Sequence, residues 1–180
     1  MKRGAYTLMA VKRLACVIVM LVLAASAFAK SGIQSTYDKF KDFTEVSTRS
    51  VWVHRGFTGS LRLSFSYICQ GNTDSCHPDT VLADFQCWST TGLYTEFHSV
   101  TFLADGSRTV PVEKETWNST VSADSVRTSV HETILARLSV ADFLKIANAS
   151  DVEGEVGPTR FSVKGKQLEL WRELAEKIGH

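Results

Sequence analysis

Residues 139–178, SVADFLKIANASDVEGEVGPTRFSVKGKQLELWRELAEKI, change hydrophobic period twice and thereby spell helix, hairpin, helix. Ser139 followed three residues later by Asp142 is a helix-start pattern, in which a hydroxyl and a carboxylate satisfy backbone N–H groups that have no intrahelical acceptor. Val140, Phe143, Leu144 and Ala147 recur at i, i+3, i+4 and i+7, which gathers them on one helical face, and the polar run Asn148 to Asp151 stops the helix. Val152 to Val156 and Arg160 to Lys164 then alternate apolar with polar residues around Gly157-Pro158-Thr159, which is turn chemistry, so a β-hairpin is predicted. From Lys166 the helical period returns: Leu168, Trp171, Leu174, Ala175 and Ile178 form a stripe opposite Glu169, Arg172, Glu173 and Glu176, and Gly179 ends it.

Upstream of this stretch the texture is β. Leu61, Leu63, Phe65, Tyr67 and Cys69 alternate with Arg62, Ser64 and Ser66, and Val81 to Trp88 repeats the alternation. Leu93 to Leu103 is predicted to continue it, with a phase change near Ser99 that suits a bulge, and Asp105-Gly106 is a strong hairpin turn. Thr109 to Val112 reads as the return strand, and Glu113 to Ser125 as a polar connection whose one large apolar residue is Trp117. The strand Ser125 to Leu138 sets Val126, Val130 and Ile134 against Arg127, Ser129, His131 and Thr133. Val51-Trp52-Val53 is a short β segment. Tyr37, Phe40 and Phe43, spaced by three, leave Ser31 to Thr44 as either a short helical turn or an irregular lead-in. Six or seven antiparallel strands followed by helix, hairpin and helix predict an α+β fold, mainly antiparallel β. The sheet is either a sandwich or a curved sheet, covered by the C-terminal helix–hairpin–helix.

The 180 residues, 44% hydrophobic and 22% charged with three prolines, have a globular composition. Residues 1–29 read as a signal peptide: Lys2, Arg3, Lys12 and Arg13 precede the apolar run Leu14 to Ala25, and Ala27-Phe28-Ala29 suits a peptidase. The run is shorter than the ~20 residues a bilayer span needs, which argues against an uncleaved anchor. Cys16, near the start of the run, is badly placed for a lipoprotein cleavage site. Residues 30–180 are then one exported domain, periplasmic or secreted. Without the four basic residues of the leader, 16 Lys and Arg face 19 Asp and Glu, a formal charge of −3. No basic stripe interleaves with aromatics, so nucleic acid is not an expected partner.

Cys69 and Cys76 flank a polar loop and are the expected disulfide in an oxidising compartment. Cys87 shares a strand face with Val81, Ala83 and Phe85 and reads as a buried apolar side chain, although pairing with Cys69 or Cys76 stays open. The same three cysteines with His77 form a rival zinc set, which lacks the paired Cys-x-x-Cys knuckles of zinc ribbons. His131-Glu132 begins a zincin-like motif but Leu135 stands where its second histidine belongs, and on a strand the two side chains point to opposite faces. His54, His98 and His131 lie in β segments without ligand spacing. Trp52, Trp88 and Trp117 are core candidates that alternatively stack a sugar or a partner's side chain. There is no nucleophile elbow, phosphate loop or dinucleotide fingerprint. Asn118-Ser119-Thr120 and Asn148-Ala149-Ser150 fit the glycosylation sequon, which matters only in a eukaryotic secretory pathway.

Phe143 to Ala149, Val152-Glu153-Gly154 and Val156-Gly157 before Phe161-Ser162-Val163 resemble a pattern in uncharacterised exported bacterial proteins. Phe102-Leu103-Ala104-Asp105-Gly106 and Tyr37-Asp38-Lys39-Phe40-Lys41 belong to the same pattern. The resemblance implies a small envelope domain and assigns no catalytic, cofactor-binding or metal residue. The expectation is a non-enzymatic binding or structural protein of the bacterial envelope that takes no cofactor. Its partner would be an envelope protein or cell-surface component, met through a sheet face or edge, with membrane contact only during export through the leader. A hydrolase of unrecognised type using His131 or His98, and a Cys/His metal-binding protein, are the alternatives.

Overall fold

The computed structural model describes residues 32–57, 59–96, 99–109, 111, 116–123 and 128–178. The leader, His98, Val126, Arg127 and Gly179 lie outside them. In chain order the strands are β1 (Ile33–Asp38), β2 (Phe43–Thr48), β3 (Val51–Arg55), β4 (Gly59–Gln70), β5 (Thr80–Ser89), β6 (Val100–Ala104), β7 (Ser107–Thr109), β8 (Thr116–Ala123) and β9 (Thr128–Ser139). Then come helix α1 (Val140–Asn148), β10 (Val152–Val156), β11 (Thr159–Val163) and helix α2 (Lys166–Lys177). The α+β architecture read from the sequence is the one observed.

Two antiparallel sheets form. The larger runs β1-β2-β4-β5-β9-β8, with β3 also paired to β4, and the smaller runs β11-β10-β6-β7. Strand alternation gives the large sheet an inner face of Leu61, Leu63, Phe65, Val81, Ala83, Phe85, Ile134, Ala136 and Leu138, all buried. The small sheet covers part of that face through Phe102 and Phe161, whose rings lie 6.0 and 6.1 Å from Phe85. The helices cover the rest: Phe143 and Trp171 approach Phe65 to 5.1 and 4.9 Å between centroids.

The hairpin is therefore more than part of a lid. Its β10 pairs with β6 as well as β11, so residues some fifty positions apart in sequence complete one sheet. At Asp105-Gly106 both central residues of the β6–β7 turn have positive φ, 48° and 80°, as a type I′ turn demands. Gly157 has φ 50° and is followed by Pro158, whose ring fixes φ near −65°; this combination fits a type II′ turn. Gly154 is required by close approach, because a Cβ there would lie 2.1 Å from Cζ of Phe161, whose ring crosses the strand.

Three expectations need correction. Within Ser31 to Thr44, the described residues from Gly32 on are neither a lone helical turn nor an irregular lead-in; most belong to β1 and the start of β2, in register from Ile33↔Thr48 to Asp38↔Phe43. As an exposed edge, β1 shows no burial alternation to read. The polar connection contains β8, which pairs with β9 over eight residues and is exposed along most of its length, so Ser, Thr and Asn suffice there. Conversely, residues 93–96 are not strand. Tyr94 is buried there as a loop residue held from below by Glu132.

The joints behave as their residues predict. Ser139 Oγ accepts from the Asp142 N–H at 3.1 Å and caps α1. The Asp105 carboxylate accepts from the Ser150 and Asp151 N–H groups at 3.0 and 3.1 Å, and Arg172 donates to the Ala149 carbonyl at 2.8 Å. Cys69 and Cys76 form a disulfide. Its loop is tied to the end of α2 by the Cys76–Ile178 bridge and the Lys177–Asp74 ion pair.

Trp171 is fully buried, edge-on to Phe65 of the large sheet. Trp171→Ala is expected to cost about 3 to 5 kcal/mol in urea unfolding; a neutral result would place the indole outside the cooperative core. Replacing both Cys69 and Cys76 by Ser should cost about 2 to 3 kcal/mol, the chain-entropy value for so short a loop. A reductant should reproduce that loss in the wild type.

Candidate functional site on the outer face of the large sheet

The outer face of the large sheet differs from an ordinary wet sheet face. Strand parity turns Arg62 of β4, Asp84, Gln86 and Trp88 of β5 and His131 of β9 outward, with Arg62 opposite Gln86 and Trp88 opposite His131. β3 supplies two more groups. Trp52 pairs with Arg62, the register slips by one residue between Trp52 and His54, and Arg55 then pairs with Ser60. Without that bulge, residues 52 and 55 would point to opposite faces. With it, both stand over the outer face.

The result is a ladder of planar groups. The Arg55 guanidinium lies 4.6 Å from the Trp52 ring centroid and that of Arg62 lies 3.9 Å from it. Arg62 is also 5.1 Å from Trp88, and the His131 imidazole stacks on Trp88 at 4.7 Å with only 19° between planes. Cation–π attraction of this kind is worth ~0.5 to 2 kcal/mol per contact, more as water is excluded, and it fixes side chains that would otherwise be floppy. All four of Trp52, Arg62, Trp88 and His131 are half-buried.

Polar atoms on this face lack partners. Arg62 Nε, His131 Nε2 and Asp84 Oδ1 are buried and make no hydrogen bond among the described residues. No ion pair to Arg55 or Arg62 is present among the described residues either. Burial holds the Asp84 carboxyl above the usual carboxylate range. The Gln86 amide, at 3.0 Å, and His131 oppose the rise, and Glu45 adds to it. A buried donor without an acceptor is costly, and natural structures keep such groups for a reason. Beside Trp52 the face opens onto a groove of about 490 Å³ lined by Ser50 to Arg55 and Gln167, where Gln167 Nε2 donates to the Trp52 carbonyl at 3.0 Å.

The other sequence candidates separate. Glu132 turns inward, opposite His131 on the strand, and is fully buried; its oxygens accept from the Leu93 and Tyr94 N–H groups at 2.7 and 3.0 Å. The pair therefore shares no site, as strand geometry requires. Glu132 is a loop anchor, and its one sequence signal is a carboxylate at an inward register position between Val130 and Ile134. Cys69 and Cys76, joined as a disulfide, are removed as thiolate ligands from the zinc set with His77. Among the described residues no three His, Cys, Asp or Glu side chains converge where a metal ion would sit. His54 lies in the groove beside β3, apart from the ladder's stacks. Trp52 and Trp88 belong to the outer face, whereas Trp117 packs against the core edge. Among the described residues no helix is long and apolar enough to cross a membrane.

No known family model matches the chain, and no curated protein is detectably similar to it.

Cys87 is free and buried. Burial pushes its thiol up to about 11, with the Glu132 charge adding and Tyr94 opposing. Burial likewise pushes the Tyr67 and Tyr94 phenols up to about 12. The folded chain thus holds these protons more tightly than the unfolded chain, so this contribution to stability is complete below pH 9 and is lost as pH rises toward 12. Melting temperature should fall between pH 9 and pH 12, and Cys87→Ala should flatten the early part of that fall. Iodoacetamide at pH 8 should label Cys87 only after unfolding; labelling of the native protein would contradict its burial.

Proposed function

We propose that this protein is a binding module of the periplasm or an extracellular compartment, that it is not an enzyme, and that its outer sheet face engages a protein of the cell envelope. The observation carrying this reading is the ladder of Arg55, Trp52, Arg62, Trp88 and His131 with its unpartnered nitrogens. Trp and Arg are the residues in which binding energy concentrates at protein interfaces, especially when held rigid before the partner arrives.

Export is supported by the leader-like residues 1–29 and by the Cys69–Cys76 disulfide, which persists where thiols are oxidised. The motifs behind the likeness to uncharacterised exported proteins serve turns and caps: Asp105 ties a turn to the end of α1, and Gly154 makes room for Phe161. They carry architecture, which leaves recognition to the sheet face.

A photo-crosslinking residue installed at Thr120, opposite His131 on β8, should trap a partner in intact cells. One at Ser162, exposed on the small sheet, should not. Trp88→Ala should abolish the Thr120 adduct while leaving the circular dichroism unchanged. An adduct from Ser162 alone, or one insensitive to Trp88→Ala, would move the interface elsewhere.

A further inference from the structure

Resting on that reading, we infer that the partner presents an acidic peptide segment whose carboxylates seat on Arg55 and Arg62 between the indole rings. Both guanidinium groups are held by ring contacts, and neither has a carboxylate counterpart among the described residues. Arg62 Nε and His131 Nε2 are buried with nothing to bond. Along one line of the face there are thus two guanidinium cations without a carboxylate partner, and the complement to such a pair is a pair of carboxylates.

The geometry narrows the class. The indole faces are engaged within the ladder itself, Trp52 by Arg55 and Arg62, and Trp88 by Arg62 and His131. Rings engaged in this way leave little open face for a stacked sugar, whereas the exposed Arg55 guanidinium beside half-buried Arg62 offers charge to a carboxylate. The ladder crosses from β3 to β9, three strand spacings or about 14 Å, a length that about four extended residues cover. In such a segment alternate side chains recur about every 7 Å on one side, so two carboxylates can reach two arginines. A nucleic acid carries a charge every ~1.7 Å along a duplex and calls for a longer row of cations than two arginines.

The test uses the disulfide-bonded chain and a fluorescent peptide of four Glu-Ser repeats, with the Gln-Ser peptide, a galacturonate oligomer and a single-stranded oligonucleotide as comparators. The Glu-Ser peptide should bind most tightly and the Gln-Ser peptide should not bind. Arg62→Gln should weaken binding about tenfold or more and Arg55→Gln severalfold, in line with loss of a charge-assisted hydrogen bond. Arg160→Gln, on the small sheet and already paired with Glu155, should leave binding unchanged. Because Arg55 is exposed, its variant tests the idea even if Arg62→Gln unfolds. Equal binding of the Gln-Ser peptide, wild-type binding by both arginine variants, or tighter binding of the galacturonate or the oligonucleotide would overturn the inference. A Trp88-dependent crosslink without any Glu-Ser binding would overturn it too, while leaving the sheet face as the interface.

Discussion

Phe65 is the point at which the layers of this fold meet. Its ring lies 6.1 Å from Phe102 of the small sheet, 5.1 Å from Phe143 of α1 and 4.9 Å from Trp171 of α2. Each of those elements has one apolar face and a solvent-facing side, and none can bury its face alone. A single aromatic position on the central strand β4 supplies a common surface for all of them. The hairpin β10–β11 depends on the same arrangement, since its inner residues Gly154 and Phe161 are set against Phe102, a neighbour of Phe65.

A core built on the inner face frees the outer face to do something else. The large sheet is covered on one side, and its other side is neither fully wet nor apolar: Arg62, Trp88 and His131 are half-buried by one another. The slip between Trp52 and His54 completes that surface by bringing Arg55 onto it. A local irregularity of the backbone thus sets the chemistry of the face, while the regular pairing of β4, β5 and β9 places the other members of the ladder. Stacking also orders long side chains in advance, which lowers the entropy lost when a partner binds.

Legibility in the sequence followed burial. The two helices, the hairpin and the strands around Phe65 and Phe85 have strict periods because one face of each is excluded from water, and those periods survive reading without a structure. β1 and β8 escaped because edge strands are paired on one side and largely exposed, so no alternation is imposed on them. Residues 93–96 misled for the opposite reason: Tyr94 is buried through a hydrogen bond to Glu132, which lies 38 positions away. The disulfide was the expected pairing from spacing, and the fold settled it by burying Cys87 as a free thiol.

The sequence by itself determined the class of fold, the cap at Ser139, the hairpin turns and the separation of His131 from Glu132, because each is set by local geometry or by strand parity; it favoured the Cys69–Cys76 pair, which the fold then fixed by burying Cys87 apart from it. Only the tertiary structure decided that the hairpin completes a second sheet with β6, because that pairing joins segments about fifty residues apart and has no local signature. The ladder was likewise settled only in three dimensions. Trp52, Arg62, Trp88 and His131 come from four strands, and Arg55 joins them through a one-residue slip in register that no count of spacing reveals.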